Sequence, residues 1–363
     1  MIFYKFLSNF YLAKSFFDKQ QVSFLIFYVT NRCNFRCNFC FYHAEVEKGR
    51  KVDELTLEEI KRISENSGPI IQLSLTGGEP FLRDDLTEIT EVFIKNNYAR
   101  YITIPTNASL PERIVGYLEK VLPQNKYAYF RIVFSIDGIG KQHDLYRSCP
   151  GSYNKILDSY AAVSSLRKKY HNLVLDSNSV YTSNTEETIL ETLKTIKKEF
   201  DFDNISVTYA RGGIKDTSLK ESSFVKYMEM NDYLKNIKRT KEKRFFYPVW
   251  RGVRDVSREY LIRTVVNEEF VSPCVAGRKL LILGETGEVF PCEILKKGMG
   301  NVRDYGYDLK NLLSKHKNKE LVKWINESKC KCSFECALAA NVIWGKWAFL
   351  KIVKASIKNI GMN

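Results

Sequence analysis

The chain changes rhythm along its length. Residues 1–20 set Ile2, Phe3, Phe6, Leu7, Phe10, Ala13 and Phe17 at helical spacing, with Lys5, Ser8 and Lys19 opposite, which predicts an amphipathic helix. From residue 23 to about 210 short apolar runs alternate with longer segments of helical period. Strands are expected over 23–30, 70–75, 101–105, 129–135, 173–181 and 205–209. The first of these is apolar without a break, as in a strand covered on both faces. A helix is expected from the capping box of Thr56 and Glu59 to Ser67-Gly68-Pro69. Others fall near 84–97, 111–122, 153–169 and 186–200. Six β-α units imply a parallel sheet with right-handed crossovers. Six strands are too few to close the eight-stranded barrel.

After Ala210 the alternation stops. Residues 211–223 read as a Gly/Ser/Lys-rich linker, 235–244 as a basic helix end and loop, and 278–291 as a hairpin around Gly284-Glu285-Thr286-Gly287. The end of the chain places Phe349, Ile352, Val353, Ile357 and Ile360 on one helix face, with Lys351, Lys354 and Lys358 opposite. Both terminal helices are expected to pack their apolar faces on the fold, the alternative being a membrane interface. The expected division is an N-terminal helix (1–22), a core (23–212), a helical linker region (213–273), a cysteine-bearing domain (274–340) and a C-terminal helix (341–363).

Composition narrows the class. A chain of 363 residues with 44% hydrophobic and 27% charged positions is ordinary globular protein. Its nine cysteines are clustered and odd in number, which fits a reducing cytoplasm better than a disulfide scaffold. No apolar run approaches the roughly 18 residues of a membrane span, and the start lacks a signal-peptide pattern. The formal charge of +14 suits a polyanionic partner or a lysine-rich surface. Aromatics do not interleave with basic residues, so no nucleic acid is expected.

The chemistry concentrates in Cys33-Asn34-Phe35-Arg36-Cys37-Asn38-Phe39-Cys40, three thiols in the pattern Cys-x3-Cys-x2-Cys. Thiolates select iron–sulfur clusters, zinc or copper. No fourth Cys or His closes a zinc tetrahedron within the loop, although His43 is near. Three ligands on a four-iron cluster leave one iron open for chemistry. One β-α unit later comes Thr76-Gly77-Gly78-Glu79-Pro80, whose glycines permit close backbone approach and whose carboxylate suits an ammonium group. The third strand ends in Thr106-Asn107, and the fourth in Ser135-Ile136-Asp137-Gly138 with Arg147 beyond.

Over roughly residues 23–340 this arrangement resembles the radical S-adenosylmethionine (SAM) enzymes. The resemblance implies an α/β fold, an open six-stranded partial (βα)6 barrel with a C-terminal twitch-like α+β auxiliary-cluster domain. It implies that Cys33, Cys37 and Cys40 hold a [4Fe-4S] cluster whose open iron chelates SAM. Reductive cleavage of SAM would then yield a 5′-deoxyadenosyl radical that takes hydrogen from substrate. Phe39, Gly77, Gly78, Glu79, Asn107, Ser135, Asp137 and Arg147 match the positions that bind SAM. Cys274 and Cys292, with Gly287 five residues before the latter, resemble the start of SPASM and twitch extensions. A second, auxiliary [4Fe-4S] cluster is thereby implied, held by Cys274, Cys292 and Cys336 with Cys332 or Cys330 as the fourth ligand; a structural zinc site is the alternative. Glu293 matches a general base of sulfatase-maturing relatives, and Cys149 lies where a thiol could return a hydrogen atom.

The expected function is hydrogen abstraction from a peptide or protein, served by a reductase or flavodoxin-like electron donor. The alternatives are oxidation or rearrangement of a small or lipid-linked, sugar-like substrate at a membrane surface, and a non-catalytic iron–sulfur or zinc scaffold. The expected location is the cytoplasm, with possible peripheral membrane contact through the terminal helices.

Overall fold

The computed structural model describes residues 2–18, 21–49, 52–237, 247–295, 297–345 and 348–360. Helix α1 (Ile2–Phe17) precedes six β-α units, and their strands are β1 (Phe24–Thr30), β2 (Gln72–Gly77), β3 (Tyr101–Thr106), β4 (Tyr129–Ser135), β5 (Leu173–Tyr181) and β6 (Asn204–Tyr209). Between them run α2 (His43–Lys48), α3 (Leu57–Ser67), α4 (Leu86–Asn97), α5 (Pro111–Gln124), α6 (Lys141–Tyr146), α7 (Ser152–Lys169) and α8 (Ile189–Glu199). The capping box is formed at both contacts: Thr56 accepts from the Glu59 N–H while the Glu59 carboxylate accepts from the Thr56 N–H. Adjacent strands from β1 to β6 pair in parallel in sequence order. The expected open, six-stranded α/β core is therefore present.

Period-two alternation gives this sheet two different faces. Leu73, Leu75, Ile102, Ile104, Ile132, Phe134, Leu175 and Val207 enter the main core. Ser74, Thr76, Thr103, Ser135, Asn178 and Thr208 point the other way, into a cavity. Truncating one core residue such as Ile104 to alanine should cost about 2–5 kcal/mol.

The chain continues through α9 (Phe224–Asn236) and α10 (Tyr247–Val265) to β7 (Leu280–Leu283), β8 (Glu288–Phe290) and β9 (Gly300–Asn301). These strands extend the first sheet, which runs β6-β5-β4-β3-β2-β1-β7-β8-β9. Strand β7 lies parallel to β1, with Phe24 opposite Leu280, and β8 and β9 follow antiparallel. The open edge of β1 accounts for this, because an apolar, unpaired strand edge recruits a partner. Helices α11 (Leu309–Ser314), α12 (His316–Glu327), α13 (Glu335–Trp344) and α14 (Phe349–Ile360) complete the chain.

Two expectations change. The segment 211–223 is not a free linker, because Ile214 and Leu219 bury beside Phe35, Cys37 and Phe39, and the Asp216 N–H donates to the Asn38 carbonyl at 2.9 Å. Two apolar residues among Gly, Ser and Lys suffice to strap it over the cysteine loop. Among the described side chains the terminal helices leave their phenylalanines exposed: α1 turns Ser8 and Ser15 inward and Phe6, Phe10, Phe16 and Phe17 outward. Most of the basic stretch expected at 235–244 lies outside the described residues.

Candidate active site

The loops that follow the strands converge on a cavity of about 370 Å³. Cys33, Cys37 and Cys40 line one wall, in the loop that leaves β1. The Cys40 N–H donates to the Cys37 carbonyl, and the Phe35 N–H points at the Cys33 sulfur. Burial pushes the Cys33 thiol up to about 12, with Glu79, Cys37 and Cys40 adding to it; burial likewise raises Cys37 to about 11. One buried and two half-buried thiols on one cavity wall are a poor arrangement for free cysteines and a good one for a cationic iron cluster, which takes them as thiolates. Among the described residues they form no closed single-ion cage. A four-iron cube spreads its thiolates over separate corners, so the donor set fits a cluster rather than one ion.

Gly77 and Gly78 are needed for backbone contact between β2 and the cysteine loop. Gly77 has φ +127°, and a Cβ there would lie 2.2 Å from the Thr30 carbonyl; one on Gly78 would lie 2.1 Å from that of Arg32. The Gly78 and Glu79 N–H groups donate to these same carbonyls at 2.8 Å. The Glu79 carboxylate is fully buried and accepts from the Phe81 N–H at 3.2 Å, the Thr106 hydroxyl at 2.8 Å and the Asn107 N–H at 2.8 Å. Burial nevertheless raises its pKa to about 7. A carboxylate in that state lacks an adjacent cation, and a ligand ammonium in the cavity would supply one. The Asn107 amide donates to Asn34 Oδ1 at 2.8 Å, which ties β3 to the cysteine loop.

Ser135 and Arg147 line the cavity. Asp137 is not among the lining residues. It is wholly buried beneath Arg147, whose Nε it binds, and it also accepts from the Val180 N–H at 2.6 Å. Burial disfavours the Arg147 charge, but Asp137 and Cys37 outweigh it and keep the guanidinium protonated. The guanidinium also interacts with the Cys37 side chain and lies 5.2 Å from the Phe39 ring, at the edge of the cavity. His143 accepts from the Asp137 N–H at 3.2 Å, and burial holds it neutral by lowering its pKa to about 4. Cys149 packs near Cys33, Cys40 and Tyr146 without lining the cavity.

A second wall combines distant segments. Glu293 accepts from the Tyr28 hydroxyl at 2.9 Å and from Arg211 Nη2 at 3.1 Å. Arg211 lies across Phe41 and Phe334, and its buried Nε has no hydrogen-bond partner. Glu335 sits behind, accepting from Thr208 at 3.2 Å and Tyr227 at 3.4 Å. Sequence reasoning missed Tyr28, Arg211 and Glu335. The hydroxyl of Tyr28 within an otherwise apolar run was the one available signal.

The auxiliary thiols gather around one apolar cluster. Cys332 is raised by burial and by Cys274, Cys330 and Cys292 together, and Cys274 is pushed up to about 11 by burial, Cys292 and Cys330. Cys336 packs on the same apolar cluster as Cys274, Cys292 and Cys332, but it lines the cavity. Burial pushes it up to about 12, and the charged groups acting on it are Glu293, Arg211 and Glu335. Helix α13 begins at Glu335, so Cys336 lies in its first turn while Cys330 and Cys332 lie in the loop before it.

Residues 27–196 match the family model of the radical SAM superfamily. The chain is 26% identical over 344 residues to a cysteine-type anaerobic sulfatase-maturating enzyme of Clostridium perfringens, covering 86% of each protein. A GTP 3′,8-cyclase of Haemophilus ducreyi is 32% identical over 105 residues, 28% of this chain and 31% of that protein. Among solved structures, anSMEcpe with bound AdoMet superposes with a TM-score of 0.59 at 21% identity, over 93% of this chain and 99% of that one. Streptococcus suis SuiB bound to S-adenosylmethionine gives 0.58 at 16%, over 84% and 68%. These two share the fold. The cysteine loop, the Gly77–Glu79 turn and the matched region coincide at one cavity, so residues 27–196 carry a radical SAM domain, the domain of enzymes whose cofactors are a [4Fe-4S] cluster and S-adenosylmethionine.

Proposed function

We propose that this enzyme oxidises a side chain of a peptide or protein, with Glu293 as the proton acceptor. The observation that carries the reading is the placement of Glu293. It lines the same cavity as the cysteine loop, held between a tyrosine hydroxyl and an arginine, where a substrate in that cavity would meet both it and the cofactors. When bound, the cluster and SAM supply a radical that removes a hydrogen atom from substrate. Cys33, Cys37 and Cys40 would hold the cluster. Glu79 would take the SAM ammonium, Arg147 its carboxylate, and Phe39 and Ser135 would line the rest of its site. Glu293 would take the proton that leaves as the substrate radical gives up its second electron, for which an auxiliary cluster would be the acceptor, and Arg211 would stabilise the carboxylate before transfer. The unpartnered Arg211 Nε suits a carbonyl oxygen, a group every peptide presents.

The comparisons support a peptide: one similar protein is named a sulfatase-maturating enzyme, and one similar structure contains a peptide with AdoMet. Cys274, Cys292, Cys330 and Cys332 would hold an auxiliary cluster, and an external reductase or flavodoxin-like protein would supply electrons. The test uses anaerobically reconstituted enzyme with dithionite, SAM and cysteine-containing peptides. Peptide should raise 5′-deoxyadenosine production and lose mass at its cysteine. Glu293→Gln should still cleave SAM but lower product yield about 10²-fold or more, as loss of a general base does. Equal peptide oxidation by that variant would remove Glu293 from the reaction, and no mass change with any peptide would refute the substrate class.

A further inference from the structure

Both terminal helices are inside out relative to their own sequence pattern. In α1 the buried positions are Ser8 and Ser15, while Phe17 on the other side is 84% exposed. Phe6, Phe10, Ala13 and Phe17 follow one another at helical spacing and form an outward apolar stripe. Polar contacts hold the helix down in place of apolar burial. The Lys279 ammonium donates to the carbonyls of Ser15 and Asp18 at the helix C-terminus, and the Trp344 indole donates to the Ser15 hydroxyl at 3.2 Å. Tyr11 stacks on Tyr98 at 4.7 Å, and Arg100 donates to Asn9.

Helix α14 repeats the arrangement. It packs on α10 through Ile352, Ala355 and Ser356, close enough that a Cβ on Gly252 would lie 2.6 Å from the Ser356 hydroxyl. The seam of small residues leaves Phe349, Leu350, Val353 and Ile357 outside, Leu350 at 79% exposure. Two helices thus expend their largest apolar side chains on solvent, which neither the fold nor the active site requires.

Their charge identifies what would cover them. Neither α1 nor α14 contains an acidic residue, whereas both carry lysines; Lys14 pairs with Asp18 just past α1 and Lys351 with Glu259 of α10, while Lys354 is exposed. The whole chain stands at +14. A second copy would set cationic face against cationic face. An anionic bilayer takes aromatic and aliphatic side chains into its interface and lysines at its headgroups. Both helices are attached where the strands begin: α1 through Tyr98 and Arg100 before β3, and α14 through α10, whose Trp250 packs its ring against Tyr101. The cavity opens among the loops at the opposite ends of those strands, and neither helix lines it. We propose that α1 and α14 form a docking face for an anionic membrane surface, holding the enzyme with its cofactor cavity turned away from the lipid.

The test is co-sedimentation of the full reconstituted protein with vesicles of phosphatidylcholine containing about a quarter phosphatidylglycerol, and with phosphatidylcholine alone. The protein should bind the anionic vesicles, and binding should weaken as salt screens the lysines. A variant combining Phe10→Ser, Phe17→Ser, Val353→Ser and Ile357→Ser should bind about tenfold more weakly or worse. Its melting temperature should stay close to the parent's and its SAM cleavage should match, because Phe17 and Ile357 are largely exposed and Phe10 and Val353 about half so. Failure of the intact protein to bind at low salt would overturn the proposal, as would unchanged binding by the variant. A dimer that the same substitutions dissolve, without vesicle binding, would assign the face to a second copy instead.

Discussion

The two walls of the cavity are built in opposite ways. The wall proposed to hold the cofactors comes from four consecutive β-α units, each contributing the end of its strand or the loop after it: Cys33–Cys40, Gly77–Glu79, Thr106–Asn107 and Ser135 with Arg147. The other wall joins Tyr28 to Glu293 across 265 residues of chain and Arg211 to Glu293 across 82. A strand-end loop can be altered without disturbing its neighbours, so the first wall is modular. The second is a network of buried charges, and removing one member leaves the others uncompensated. Chemistry common to a superfamily fits the first wall, and substrate-specific chemistry the second.

The most severe way to break the comparison is to remove the cofactor wall. Cys33→Ser, Cys37→Ser and Cys40→Ser together should abolish 5′-deoxyadenosine formation. The variant should retain about half of the roughly eight irons expected for two four-iron clusters, measured by iron analysis after anaerobic reconstitution. Loss of all iron would show that the two sets of thiols are not independent.

The second wall is sharpened by comparing two cysteines six residues apart. Cys330→Ser should lower auxiliary iron, because that thiol belongs with Cys274, Cys292 and Cys332. Cys336→Ser should keep it while changing peptide oxidation, since Cys336 faces Glu293 and the cavity. Equal iron loss in both variants would return Cys336 to the ligand set.

The smallest expected effect is a pH dependence. The native pKa of Glu79 is about 7 against an ordinary 4.5, so the folded protein binds that proton more tightly than the unfolded chain. Its contribution is complete below about pH 4.5 and is lost as pH rises through about 7, on the order of 3 kcal/mol at most. Melting temperature without SAM should fall across that range, and Glu79→Gln should flatten the fall. SAM should stabilise the parent increasingly as pH rises, because its ammonium compensates the ionised carboxylate. A SAM effect independent of pH would contradict that pairing.

Much of the fold was legible because its signals are local. The Thr56 capping box, the unbroken apolar β1 and the strand ends at Tyr129–Ser135 and Leu173–Tyr181 appear where their patterns placed them. Arg211 was not legible: its setting of Gly and Lys reads as linker, and only Glu293, Phe41 and Phe334 arriving from elsewhere make it part of a site. Cys336 shows a related limit, since spacing orders thiols along the chain but does not say that this one also lines the cavity.

The sequence by itself determined the parallel core, the cysteine loop and the cofactors that loop serves, because strand periodicity and ligand spacing are properties of short segments. Tertiary structure decided three other matters. It placed Tyr28 and Arg211 on Glu293, extended the sheet with β7 along the free edge of β1, and turned α1 and α14 so that serines face inward and phenylalanines outward. Amphipathic spacing defines a face but not its partner. Lys279 on the carbonyls of α1, and Gly252 beneath Ser356, made the small polar side the better contact.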